Sequence, residues 1–285
     1  MNNDRKSKIV LNLRRFIAYF VLIILTFLCL FSFYALIVNA TRSHPEIQMG
    51  FSLIPGKSFL TNLKNVLGNE NLPVLHGIAN SLFVAFSCAA LSTYFSALTA
   101  YAIHAYEFKF KRAIFLFILL IMMIPSQVST LGFLSLITKM NLMDSLIPLI
   151  LPSIAAPTIF FFMVQYMQSS LPIEIVEAAR IDGSGEFRTF NSIVLPILKP
   201  AMAVQAIFAF VSAWNNYFLP ALVIKTAEKK TLPILIAQLR SADFLKFDMG
   251  QVYMLIAIAI VPVIIVYLCL SKFIVRGVAV GSVKG

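Results

Sequence analysis

Residues 171–196 read Leu-Pro-Ile-Glu-Ile-Val-Glu-Ala-Ala-Arg-Ile-Asp-Gly-Ser-Gly-Glu-Phe-Arg-Thr-Phe-Asn-Ser-Ile-Val-Leu-Pro, a charged stretch whose spacing predicts a helix, a turn and a second helix. Pro172 suits a first helical turn, the run to Ile181 favours helix, and Gly183 can take the left-handed conformation that ends one. Ser184 can cap a short second helix that stops before Pro196. Two alanines, Ala178 and Ala179, would let another backbone come close. Such a hairpin suits docking into a partner, and it equally suits a solvated connector between two neighbouring elements.

Other residue types offer less chemistry. Gly50 to Ser58 looks like a phosphate-binding loop until the spacing is counted: five residues separate Gly50 from Gly56, where the nucleotide motif needs four, and no strand precedes them. A turn at Pro55-Gly56 is the simpler reading. His44, His76 and His104 lie far apart, without carboxylates at ligand spacing, so neither a metal site nor a catalytic triad is visible. Cys29, Cys88 and Cys269 fall inside apolar blocks with no paired spacing and read as small buried residues. The sequence therefore presents no enzyme signature and no cofactor site of its own.

The elements that must hold the hairpin are membrane helices. Of the 285 residues 60% are hydrophobic and 12% charged, against about 25% charged in an ordinary soluble domain. The apolar residues fall in six blocks, 17–38, 78–102, 113–138, 146–167, 201–224 and 251–271, and all the charged residues lie outside them. Each block is long enough to cross a hydrocarbon core of about 30 Å as a helix. Period-two alternation is missing, which excludes a barrel, so the fold class is all-α with six transmembrane helices in a single domain, 1–285. The first block follows Arg5, Lys6, Lys8, Arg14 and Arg15 but is too long for a secretory signal and has no small-residue cleavage site. Lys and Arg number 14 on the side holding both termini and the 168–200 loop, against 9 on the other. By the positive-inside rule that first side is cytoplasmic.

The net charge of +11 resides on loops and tails without aromatic interleaving, which argues against nucleic acid. The spans lack Asp, Glu, Lys and Arg, whereas ion-coupled carriers place such residues in their pathways. A gradient-driven carrier is disfavoured on that ground, although sodium coupling through backbone carbonyls alone would escape the test.

The hairpin resembles the EAA motif of permease subunits in binding-protein-dependent ABC importers: Glu-Ala-Ala, three residues, Gly, nine residues, Ile, one residue, Leu-Pro. All seven fixed positions match, at Glu177, Ala178, Ala179, Gly183, Ile193, Leu195 and Pro196, where a chance match is on the order of 10⁻⁵. Residues 179–183, 195–200, 214–220, 231–233 and 277–285 are further similar to the carbohydrate-uptake branch and, within it, to maltose-type permeases. Ser184 stands where that family commonly has alanine, and Tyr217 where it often has phenylalanine.

The resemblance implies a type I importer permease in a bacterial cytoplasmic (inner) membrane, paired with a second permease, two cytoplasmic ATPase subunits that bind ATP and Mg, and an extracytoplasmic sugar-binding protein. It further implies that the hairpin, through Glu177, Ala178, Ala179, Asp182 and Gly183, enters a cleft of the ATPase, with Glu177 facing a basic residue there. A permease for a non-sugar solute and a non-transporting polytopic receptor or scaffold stay open as alternatives.

Gln205, Ser212 and Asn216 return to within about 20° of one another on a helix and form a polar stripe. With Trp214 and Asn215 beside it, the stripe could line a translocation path or bond neighbouring helices. Asn80 and Gln127 are candidates of the same kind. At the C-terminus, Gly277, Gly281 and Gly285 give no reason to expect a stable helix, yet the tail is apolar; Gly277, Gly281 and Lys284 are expected to lie against a partner.

Overall fold

The computed structural model describes residues 2–69, 72–241 and 247–281, which form helices joined by turns with no strand among them. In chain order the helices are α1 (Asn2–Ala40), α2 (His44–Gln48), α3 (Phe59–Leu67), α4 (Val74–Ala105), α5 (Lys111–Ile121), α6 (Ser126–Lys139), α7 (Ile147–Ile150), α8 (Pro157–Ser170), α9 (Ile173–Ile181), α10 (Glu186–Thr189), α11 (Leu195–Trp214), α12 (Phe218–Val223), α13 (Leu232–Arg240) and α14 (Met249–Gly281). Among the described residues, five helical segments are long and apolar enough to cross a membrane: Leu11–Ala40, Val74–Ala105, Ile147–Ser170, Glu186–Trp214 and Met249–Phe273.

The contacts divide the chain into two compact units. The first comprises Met1–Gly68 and Leu239–Ile258. Within it, Arg42 and Asn62 are buried and gather backbone carbonyls beyond the end of α1. Arg42 donates to the carbonyls of Glu46 and Gly50, and the Asn62 amide donates to those of Ala40 and Arg42, both at 2.9 Å.

The second unit, Asn69–Gln238 with Ala259–Gly285, is built around α4. This helix buries a face of small residues, Ser81, Ala85, Ala89, Ser92, Ser96, Ala97 and Ala100, and small side chains let helices approach closely in lipid. On it pack α11 and α8. Tyr101, Phe160, Met163, Met167, Val176, Phe190, Val194 and Leu198 close one apolar cluster. Val84, Cys88, Ile137, Leu149, Val223 and Ile234 close another.

Four sequence expectations are corrected. The expected third span, 113–138, is interrupted: α5 ends at Ile121 and α6 begins at Ser126, and the break falls at Pro125, which has no N–H to continue the ladder. The expected fifth span begins earlier and ends sooner, since helix runs on from Glu186 through Pro196 and Pro200 to Trp214. A π-turn at Phe190–Val194 precedes Pro196 and loosens the ladder where the proline ring would clash. Ser184 does not cap the second helix; Gly185 holds the N-cap, and the Ser184 hydroxyl instead accepts from Thr189 Oγ1 at 2.9 Å. Finally, α14 continues through Gly277 to Gly281. Extending an established helix needs no new nucleus, so the glycine penalty of about 1 kcal/mol each does not stop it.

Between α6 and α7, Asn141 and Asp144 take left-handed backbone angles, φ 56° and 58°, which their short polar side chains tolerate. Asp144 accepts from Thr226 Oγ1 at 2.6 Å and from the backbone N–H groups of Thr226 and Lys225, and Lys229 Nζ lies 3.2 Å away. Foremost the Thr226 hydroxyl, then these backbone donors, hold its carboxyl well below the usual carboxylate range. A depressed pKa stabilises the fold above the ordinary aspartate value of about 3.9 and loses that contribution as pH falls below it. Asp144→Asn should therefore lower the melting temperature at pH 7 and reduce the difference from wild type as pH is taken below about 4, measured by thermal unfolding in detergent across pH.

Candidate functional site

The 168–200 segment folds as the expected helix and turn, but the second helix does not stop before Pro196 and runs on into α11; the turn is set by backbone chemistry. Helix α9 ends with Asp182 at the C-cap and Gly183 at φ 76°. The Ser184 N–H donates to the Ala179 carbonyl at 2.9 Å and the Gly183 N–H to the Arg180 carbonyl at 3.0 Å. Those are the two bonds of a Schellman motif, which satisfies carbonyls that a helix end leaves free. A Cβ at Gly183 would meet nothing within 4 Å, so the constraint there is conformational rather than steric.

One face of α9 is buried. Val176 and Ala179 sit inside, Val176 in the same apolar cluster as Leu171, Phe190 and Tyr101. The other face carries Glu174, Glu177, Ala178 and Ile181, all exposed, with Asp182 and Gly183 continuing it. The structure thus separates the two alanines: Ala178 faces outward, while Ala179 packs against its own chain. Ile181 is 86% exposed and Phe187 72% exposed. These two apolar anchors were not singled out from the sequence, although an isoleucine and a phenylalanine at the two ends of a polar turn were the available signal. Exposed apolar side chains rimmed by charge mark an interaction surface.

The inner side of the turn is tied to the end of α4. Arg180 Nε donates to Glu186 Oε1 at 2.7 Å, and Arg180 Nη2 to the Ala105 carbonyl at 3.4 Å. The guanidinium stands 5.0 Å from the centre of the Tyr106 ring. Tyr101 Oη donates to Glu186 Oε2 at 2.9 Å. The Glu186 carboxylate raises the Arg180 pKa further, and burial, followed by that carboxylate, raises the Tyr106 phenol. His104 Nε2 lies 2.9 Å from the Leu171 carbonyl at the entry to the hairpin.

The path candidates do not gather into one site. Gln205 is buried in α11, Ser212 is exposed, and Asn216 lies past the end of α11 in the turn before α12. The stripe is therefore lost where the helix stops. Trp214 is buried, stacks on Phe210 at 5.8 Å, and donates its indole N–H to the Ala259 carbonyl at 3.1 Å. Asn215 is exposed in the same turn as Asn216. Asn80 is committed to the loop before α13, donating to the carbonyls of Glu228 at 2.7 Å and Lys230 at 3.1 Å. Gln127 is exposed in the first turn of α6, just after the helix break. Gly277 and Gly281 lie in the last turns of α14, and Lys284 falls outside the described residues. Among the described residues no cluster of three His, Cys, Asp or Glu side chains could hold a metal ion.

Residues 92–280 match the family described as binding-protein-dependent transport system inner membrane component. The arabinooligosaccharides transport system permease protein AraQ of Bacillus subtilis (strain 168) is 34% identical over 266 residues, covering 92% of each chain. The sn-glycerol-3-phosphate transport system permease protein UgpE of Yersinia pestis is 32% identical over 264 residues, 91% of this chain and 94% of that one. Among solved structures, a chain of a bacterial ABC transporter involved in the import of the acidic polysaccharide alginate has the same fold. It superposes with a TM-score of 0.78 at 20% identity, over 90% of this chain and 95% of that one.

The turn makes a graded prediction. A left-handed residue with a Cβ costs about 1–2 kcal/mol relative to glycine, so Gly183→Ala should populate the opened hairpin roughly 5- to 30-fold more. Gly183→Asn should do so less, because asparagine tolerates this region. The rate of tryptic cleavage after the exposed Arg188 in the purified protein reports the difference; equal rates in all three proteins would show that the positive φ is not needed.

Proposed function

The chain belongs to the family of inner membrane components of binding-protein-dependent transport systems, and from that premise we propose that it is the permease subunit of an ATP-driven importer that moves a sugar or oligosaccharide into the cytoplasm. The observation that carries the mechanism is the hairpin, one face buried on its own bundle and the other presenting Glu177, Ala178, Ile181 and Phe187 outward. That outer face suits the cleft of an ATPase subunit: Ala178 permits close approach, Ile181 and Phe187 supply apolar anchors, and Glu177 offers a carboxylate to a basic partner. ATP and Mg are then bound by two such subunits, not by this chain, which contributes no catalytic group.

The break between α5 and α6 suits cover by a second permease. Met123 is 78% exposed there and Val128 and Leu131 are 66% and 75% exposed, and irregular backbone at membrane depth is tolerated only when protein or a water-filled cavity covers it. On this reading residues 111–139 cross as a broken pair, giving six crossings with both termini and the hairpin in the cytoplasm, the more basic side. Asn215, Asn216 and Gln127, exposed beside helix breaks, are the path residues retained; Trp214 and Asn80 serve packing. The tail from Gly277 extends α14 towards the ATPase pair.

The substrate class rests on the relatives. The arabinooligosaccharide permease favours a carbohydrate, while the comparable identity to the glycerol-3-phosphate permease keeps a phosphorylated polyol as the second reading. Calorimetric screening of the cognate binding protein against arabinose oligomers, maltose oligomers and sn-glycerol-3-phosphate separates them, and binding of the last alone would overturn the sugar assignment.

Docking is tested on the complex. Glu177→Lys and Ile181→Asp should each abolish co-purification of the ATPase subunits while the permease still reaches the membrane; full stoichiometry in both variants would remove the docking role. Topology is tested separately, by a cysteine at the exposed Arg188 in a background lacking the native cysteines. A membrane-impermeant thiol reagent applied to intact cells should leave it unmodified.

A further inference from the structure

The inner face of the hairpin carries a second and separate set of bonds, and they all end on one helix. Arg180, from the last turn of α9, and Glu186, the first residue of α10, form an ion pair of 2.7 Å across the turn. Each then reaches α4, Arg180 to the Ala105 carbonyl and Glu186 to the Tyr101 hydroxyl. Ala105 is the last residue of α4, where unpaired carbonyls and the negative end of the helix dipole favour a cation. Tyr101 is 3% exposed and its ring lies 5.5 Å from that of Phe190 in the π-turn leading into α11. A displacement of the turn therefore meets directional contacts to α4 on two separate side chains. The exposed docking face, Glu174, Glu177, Ala178 and Ile181, takes no part in them.

We propose that Arg180, Glu186 and Tyr101 form a strut that carries the movement of the docked hairpin into α4, making them positioning residues for energy coupling and not part of the ATPase contact. The inference rests on the docking reading above, in which the outer face of the same hairpin meets the ATPase. Arginine suits the position because a planar fork can serve a carboxylate, a carbonyl and an aromatic face at once, which lysine cannot. Neutralising Glu186 as glutamine keeps its shape and removes the charge; Tyr101→Phe keeps the ring packing and removes only the hydroxyl.

The test uses the whole transporter in nanodiscs, with the native cysteines replaced and spin labels at the exposed positions Thr99 and Arg188, one on α4 and one on α10. In the otherwise wild-type complex the inter-label distance distribution should stay narrow both without nucleotide and after trapping with ADP and vanadate. Glu186→Gln and Tyr101→Phe should keep full subunit stoichiometry and ATP hydrolysis by the partner subunits. In both variants the distribution should broaden on trapping, and stimulation of hydrolysis by the loaded binding protein should fall about fivefold, the upper range for a half-exposed charged pair. Distributions and stimulation matching wild type in both variants would overturn the strut. Loss of the ATPase subunits from these variants, with the outer-face variants unaffected, would equally overturn it, by placing the contact on the inner face. If the docking reading itself is wrong, Glu177→Lys and Ile181→Asp leave the complex intact, a result that the strut variants do not determine.

Discussion

A peptide group that loses its hydrogen-bond partner in hydrocarbon costs several kcal/mol, and there is no water to replace it. That constraint makes the membrane segments helical, and it gives each interruption of a helix a meaning it would lack in a soluble protein. The chain interrupts α-helices between Ile121 and Ser126, between Ile150 and Pro157, and between Trp214 and Phe218. Pro125, Pro157 and Pro220 stand at or just after these places. Between Ile121 and Ser126 the short turn bonds of Met123 and Ile124 to the preceding carbonyls recover part of the ladder, and what remains must be covered by protein or water.

The same accounting explains why α4 organises its unit. Its buried small residues leave little apolar side chain to hold it, so close packing of α8 and α11 does that work along its length. Its ends are held differently, by polar bonds to loops. At the start, Asn80 fixes the Glu228 and Lys230 carbonyls and Ser81 Oγ accepts from the Leu232 N–H at 2.8 Å. At the finish, Tyr101, His104 and the Ala105 carbonyl hold the hairpin. A helix with close-packed sides and clasped ends moves as a body, and interfaces packed in this way shift between discrete arrangements instead of deforming gradually.

Much of this was legible in the sequence, for reasons that differ from residue to residue. Gly183 could be read as the turn because a local rule, the left-handed helix stop, decides it without tertiary help. The apolar blocks could be read because lipid imposes a length. The break at Pro125 could not, since a proline inside a membrane helix is compatible with both a continuous and an interrupted ladder, and neighbours choose between them. The polar stripe of Gln205, Ser212 and Asn216 failed for a related reason: a helical wheel assumes that the helix continues, and α11 stops at Trp214. For Trp214 and Asn80 the sequence left open a path or bonding to neighbouring elements; the structure takes the second, and the partners are backbone carbonyls 45 or more residues away, which no local spacing reveals. Arg180 and Glu186 escaped notice because the carbonyl and hydroxyl they reach belong to α4, 75 and 85 residues earlier.

The energetic weight of the Arg180–Glu186 pair argues for geometry over stability as its role. Its side chains are 34% and 42% exposed, and pairs in such surroundings contribute only about 0–1 kcal/mol. Stability of the hairpin comes instead from Val176, Ala179 and Phe190, which are buried and apolar. Apolar packing, however, is non-directional and permits small slides between surfaces. A forked cation that meets a carboxylate, a helix-end carbonyl and a ring at once permits far less, because each contact has its own preferred angle. The hairpin thus divides its inner side in two: buried apolar residues keep it folded, and the small polar set beside them fixes where the turn stands relative to the end of α4.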